Sequence, residues 1–101
     1  MEKRRLNGTR RPLLFSIGAL ILSPGIDRCM REGRLDPMSF LRRHARGDWG
    51  DVTDERWQDN DAGLQSGRSL ESIYAVHRAL SISIVTHADR SETRIALLSE
   101  I

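Results

Sequence analysis

The sequence predicts an α+β fold: short helices packed on one face of a small, mainly antiparallel sheet, in the order β-α-α-α-β-β-β. Three observations carry this. Helix-type apolar spacing with start and stop signals recurs three times between residues 24 and 67. Period-two alternation dominates from Leu70 to Leu98. Helices grouped ahead of consecutive, closely linked strands favour segregated layers over a βαβ arrangement. The 101 residues make one domain, divided into a flexible basic tail over 1–12 and a folded unit over 13–101. Apolar content of 39% against 30% charged is globular, and with aromatics at 5% the core must come from Leu, Ile and Val.

Leu13 to Leu22 is nearly continuous apolar and reads as a buried strand. Behind a basic segment with an Arg10-Arg11 pair it also has the form of an export signal, but it is too short to span a bilayer and no small-x-small cleavage site follows. The strand reading and a cytoplasmic location are preferred. Ser23-Pro24-Gly25 reads as a turn, after which Ile26, Cys29 and Met30 at i, i+3 and i+4 predict a short helix facing the core, stopped by Gly33. Asp36-Pro37 is an N-cap followed by proline at the first helical position. The second helix runs from there to Gly47, with Met38, Phe40, Leu41 and His44 inward. Thr53 is the candidate N-cap of the third helix, with Val52 and Trp57 placed for a hydrophobic staple and Asp54 and Glu55 suited to the helix dipole; Ser66-Gly67 closes it. Strands are expected over Leu70–His77, from Leu80 through Ile84, and over Thr93–Leu98. An Arg78-Ala79 turn and a polar loop over His87–Glu92 make them an antiparallel meander.

Gly47-Asp48-Trp49-Gly50-Asp51, Asn60-Asp61, Ser72-Ile73-Tyr74 and Thr86-His87-Ala88-Asp89-Arg90-Ser91, with Ser23-Pro24-Gly25 and Phe40-Leu41-Arg42-Arg43-His44 upstream, together resemble a family of small bacterial proteins. These are found on plasmids and other mobile elements; some are labelled plasmid-related, or as a restriction-modification subunit. The resemblance covers about residues 13–99. The chain departs from the pattern at His87, where glutamate is usual, at Arg94 (threonine) and at Ser99 (proline), and it lacks the tryptophan usual in the Ser81–Ile84 strand, so it resembles a divergent member. The resemblance implies a stand-alone cytoplasmic domain and no particular reaction.

The charge is small overall, +2, but bipolar: Lys3, Arg4, Arg5, Arg10 and Arg11 against an acidic middle of Asp48, Asp51, Asp54, Glu55, Asp59 and Asp61. Two readings of the Gly47–Asp51 loop follow. Trp49 rimmed by Asp48 and Asp51 is a contact anchor for another protein, or the glycines supply special backbone angles, Trp49 plugs the core and the aspartates cap amides. With Asp54, Glu55 and Asp59 the loop forms the candidate protein-binding surface. No EF-hand pattern is present, and His44, His77, His87 and the single Cys29 match no zinc spacing, so neither metal nor cofactor is expected. His87 near Asp89 and Ser91 is the one candidate catalytic loop, since imidazole, carboxylate and hydroxyl are the ingredients of general-base chemistry, but only geometry can make them a triad. The preferred expectation is a satisfied loop, with Asp89 accepting backbone amides and Arg90 paired to a carboxylate such as Asp48 or Asp61. Arg4, Arg5, Arg10, Arg11, Arg42 and Arg43 make weak, non-specific nucleic-acid contact the second functional reading; no helix-turn-helix, zinc finger or base-stacking strand motif supports sequence readout.

The leading expectation is a small non-enzymatic protein-binding module of a bacterial mobile element, an inhibitor of a host defence complex of anti-CRISPR or antirestriction type. Its partner would be a bacterial protein complex, with no membrane association, acting as a monomer or homodimer.

Overall fold

The computed structural model describes residues 13–101; the basic tail, with Arg4, Arg5, Arg10 and Arg11, lies outside the described residues. The fold is α+β in the expected order: β1 (Ala19–Leu22), α1 (Pro24–Arg31), α2 (Pro37–Ala45), α3 (Asp54–Ser66), β2 (Leu70–His77), β3 (Leu80–Thr86) and β4 (Glu92–Leu97). A short 3-10 turn, Leu98–Glu100, follows. The strands form one sheet ordered β1-β4-β3-β2. The last three are the antiparallel meander, and β1 returns across the helices to lie parallel to β4, with Leu20 opposite Thr93 and Leu22 opposite Ile95.

Alternation fixes which face is buried. Tyr74, Leu80, Ile82, Ile84 and Ile95 point to the helices and join Ile26, Cys29, Leu35 and Leu41 in one core. Full burial of each large apolar side chain contributes about 1.5–3 kcal/mol, so this cluster is the main source of stability.

The helix boundaries follow local chemistry. Asp36 accepts the Met38 N–H at 3.1 Å, Thr53 accepts the Arg56 N–H at 3.1 Å, and Gly67 closes α3 in left-handed geometry (φ 72°). Ser23-Pro24 is not a free turn: Ser23 Oγ accepts the Ile26 N–H at 3.2 Å and proline occupies the first helical position, so the pair opens α1. Glu100 completes that terminus, accepting from Ser23 Oγ at 2.6 Å and from the Gly25 N–H at 3.0 Å. The hydroxyl of Ser23 is the first reason its carboxyl stays below the usual range.

Three expectations are corrected. Only Ala19–Leu22 of the long apolar run is strand; Leu13 and Leu14 are exposed. Leu14 spends its N–H on the carbonyl of Ala45 at the end of α2. The chain then turns at Gly18 (φ 63°), where a Cβ would collide with the Ser91 carbonyl. Met30 and Met38, expected inward, lie at the surface, because each short helix buries a narrower stripe than its apolar residues could supply.

Candidate functional site

The Gly47–Asp51 loop lies along the outer border of β2. The outward backbone groups of this edge strand alternate along Glu71, Ile73 and Ala75, and most of them are occupied. Asn60 on α3 acts as a peptide mimic: its Nδ2 donates to the Glu71 carbonyl at 2.7 Å and its Oδ1 accepts the Glu71 N–H at 3.2 Å. The Ile73 N–H donates to the Trp49 carbonyl at 3.2 Å, and the Asp51 N–H donates to the Ile73 carbonyl at 2.6 Å. Asp51 Oδ2 accepts the Ala75 N–H at 2.9 Å. Gly50 lies against the strand at φ 74°, where any Cβ would meet the Ile73 carbonyl and the Tyr74 ring. An eight-residue edge strand is thus closed by a loop and one side-chain amide, without a further strand.

Trp49 is fully buried, and the expectation of a surface anchor at this position is corrected in favour of the core reading. Its indole N–H donates to Asp61 Oδ1 at 2.9 Å, and its ring lies near Phe15 and His44 at centroid distances of 6.2 and 5.4 Å. Asp48 is also built into the frame. It pairs with Arg43 Nε at 2.8 Å and accepts the Gly50 N–H through Oδ1, and its carbonyl accepts the Tyr74 hydroxyl at 2.6 Å. Arg43, read as a nucleic-acid contact, is drawn into this loop, with its guanidinium 4.7 Å from the Tyr74 ring centroid; Arg42 remains exposed. Burial pushes the Tyr74 hydroxyl up to about 12.

Below the loop runs a buried polar chain absent from the sequence reading. His44 Nδ1 is 2.6 Å from Ser72 Oγ and Nε2 is 2.9 Å from Thr86 Oγ1; Thr86 Oγ1 is 2.7 Å from Thr93 Oγ1, which donates to the Ile17 carbonyl at 2.7 Å. That last carbonyl can only accept, so it sets the direction of the whole chain. Thr93 donates to it, Thr86 donates to Thr93, His44 donates through Nε2–H to Thr86, and Ser72 donates to Nδ1. With His44 neutral, Nδ1 is the acceptor for the Ser72 hydroxyl and each donor in the chain meets an acceptor. Burial, with the positive charge of Arg90 second, pulls the imidazole down to about 3. The sequence signal was small polar residues, Ser72, Thr86 and Thr93, at inward positions of three strands.

The His87–Ser91 loop does not form a triad. His87 Nε2 faces Glu92 at 3.3 Å, while Asp89 accepts the Ser91 N–H at 2.9 Å and is held below its ordinary value chiefly by the Ser91 hydroxyl. Arg90 adopts left-handed backbone (φ 62°) and turns inward. It bonds no carboxylate among the described residues, contrary to expectation. Its guanidinium donates to the carbonyls of Gly63 at 3.0 Å and Arg68 at 2.6 Å, at the C-terminal end of α3, and lies 5.6 Å from the Phe15 ring centroid. A cation there complements the helix dipole in a helix with no basic residue in its own last turn.

These polar clamps explain α3. Only Asn60 and Gly63 of its 13 residues are buried, so little apolar packing holds it. Asp54, Glu55 and Asp59 are exposed, and Trp57 retains 36% of its surface one turn from Asp54. Of the candidate protein-binding residues, Asp48, Trp49 and Asp51 serve the frame, and Asp54, Glu55 and Asp59 face outward on α3.

No three His, Cys, Asp or Glu side chains among the described residues are grouped to hold a metal ion, and none of the described helices is long and apolar enough to cross a membrane. Comparison with protein-family models, with curated proteins and with solved structures finds no match.

Proposed function

We propose that this chain is a non-enzymatic protein-binding module whose contact surface is the outer face of α3. The observation that carries the reading is a helix fastened by Asn60 and Arg90, which leaves Asp54, Glu55 and Asp59 exposed around a part-exposed Trp57. Four carboxylates of α3 stand against one cation, Arg56. An aromatic residue rimmed by carboxylates suits a basic protein groove: the ring supplies the anchor and the charges supply approach and register. Small size, bipolar charge and the resemblance to mobile-element proteins favour an inhibitor of a host defence complex, of anti-CRISPR or antirestriction type.

The test is a pull-down with tagged protein from nuclease-treated bacterial lysate containing an active defence complex, comparing the wild type with Asp54→Lys/Glu55→Lys/Asp59→Lys. A stoichiometric partner held by the wild type and lost by the triple variant, with unchanged circular dichroism, supports the reading. Equal capture by both removes α3 as the contact surface. Capture that disappears with nuclease transfers the activity to nucleic acid and to the arginines.

A further inference from the structure

The helices cover one face of the sheet; the other carries Glu71 and Ile73 on β2, Ser83 and Val85 on β3, Arg94 and Ala96 on β4, and Ile21 on β1. The register sets these in rows. Glu71 is opposite Val85, Val85 opposite Arg94 and Arg94 opposite Ile21, while Ile73, Ser83 and Ala96 form the next row. A hollow of about 270 Å³ lies over this region, with Val85 and Ala96 in its wall, Glu71 and Arg94 at its sides and the 78%-exposed Ile101 also lining it. Ser83, which also lines the hollow, is only 2% exposed, and its hydroxyl has no partner among the described residues.

We propose that this face binds a second copy of the same chain, sheet against sheet, about a two-fold axis running along β3. The charge pattern selects this occupant. Glu71 and Arg94 flank Val85 one strand to either side, so each is about 5 Å from β3 and the two are roughly 10 Å apart. Rotation by 180° about an axis parallel to β3 exchanges left and right while keeping each row level. It lays Val85 against Val85 of the second copy, Glu71 over the second copy's Arg94, and Arg94 over its Glu71. Two identical ion pairs then flank an apolar centre, the self-complementarity that an isologous interface requires. Both charges are only loosely engaged within the chain, Arg94 with Glu92 and Glu71 with Arg56, each at 3.5 Å. Sheets packed this way lie about 10 Å apart with strands within about 30° of each other, and α3 stays on the outside of the pair.

Sedimentation equilibrium over a wide concentration range tests this. The wild type is expected to reach twice the chain mass. Glu71→Arg and Arg94→Glu, each of which opposes like charges across the axis, are expected to weaken association at least tenfold. The double variant Glu71→Arg/Arg94→Glu exchanges the charges and is expected to recover it, a rescue that simple damage to the fold cannot produce. Val85→Asp, checked for native circular dichroism, should be monomeric. A wild type that stays monomeric at millimolar concentration overturns the proposal, as does a dimer whose affinity none of these variants changes.

Discussion

The side-chain amide of Asn60 pairs with both backbone groups of Glu71, donating at 2.7 Å and accepting at 3.2 Å, as a neighbouring strand would. Asn60→Ala removes both partners at once and leaves a part-buried amide and carbonyl unmatched, at a cost of about 2 kcal/mol or more. Asn60→Asp keeps the acceptor but sets a carboxylate against the carbonyl, and should be at least as damaging at neutral pH. Urea unfolding measures both; a change below about 0.5 kcal/mol for either would mean that water replaces the amide without loss.

Gly50 is held at positive φ against the Ile73 carbonyl. Gly50→Ala therefore combines unfavourable backbone with a collision, and should lower the unfolding midpoint more than Gly67→Ala. The latter shares the positive φ but has open space around it. Thermal melts of the two variants separate the steric part from the conformational part, and equal losses would refute the close approach.

His44 should give the protein a pH dependence of definite sign. Its folded value, about 3, lies below the ordinary 6.5. The unfolded chain therefore takes up a proton that the folded chain refuses, and stability falls as pH drops from about 6.5 towards 3, by up to about 1.4 kcal/mol per unit. The carboxyls of Asp89 and Glu100, both held low, add their loss only further down, within the carboxylate range. Denaturation at pH 7 and pH 5 should differ by about 2 kcal/mol from this residue, and nitrogen NMR of the ring should show the Nε2–H tautomer at both. A flat profile, or the Nδ1–H form, would contradict the direction assigned to the polar chain.

Arg90 combines two effects that substitution can part. Arg90→Ala loses the guanidinium at the end of α3 and retains left-handed backbone; Arg90→Gly loses the same contacts but relieves the backbone. Glycine should be the milder change by about 1 kcal/mol. In both variants amide exchange should accelerate at Leu64–Arg68 before it does in β3. If exchange in that last turn is unchanged, Arg90 does not fasten the helix.

Much of the frame is local chemistry and is legible in the sequence. Asp36-Pro37, Thr53 and Gly67 specify their helix ends through groups a few residues away, and the alternation from Leu80 to Ile84 specifies which side of β3 faces inward. Ser23-Pro24 carries the same start signal, yet reads equally well as a turn until Glu100 is seen to complete it. The residues of the Gly47–Asp51 loop suit a surface patch and a core plug alike, and only the distant partners of Trp49, Asp61 and His44, decide between them. α3 is the hardest element to read. Polar clamps hold it, with little apolar stripe, so its sequence describes its exposed side far better than its attachment. The parallel pairing of β1 with β4 joins residues more than seventy positions apart and leaves no local trace.

The treatment of the sheet borders has a consequence for how the molecule behaves in a crowd. A long strand with bare amides is a template that any extended chain can copy, which is the first step of fibril growth. Here the eight-residue border is matched by Asn60 and the Gly47–Asp51 loop, and the opposite border is only four residues long, confined between Gly18 and Pro24. Neither end of the ladder offers a run to copy. At high concentration the protein is protected from backbone-driven accretion, and whatever it meets must recognise its side chains.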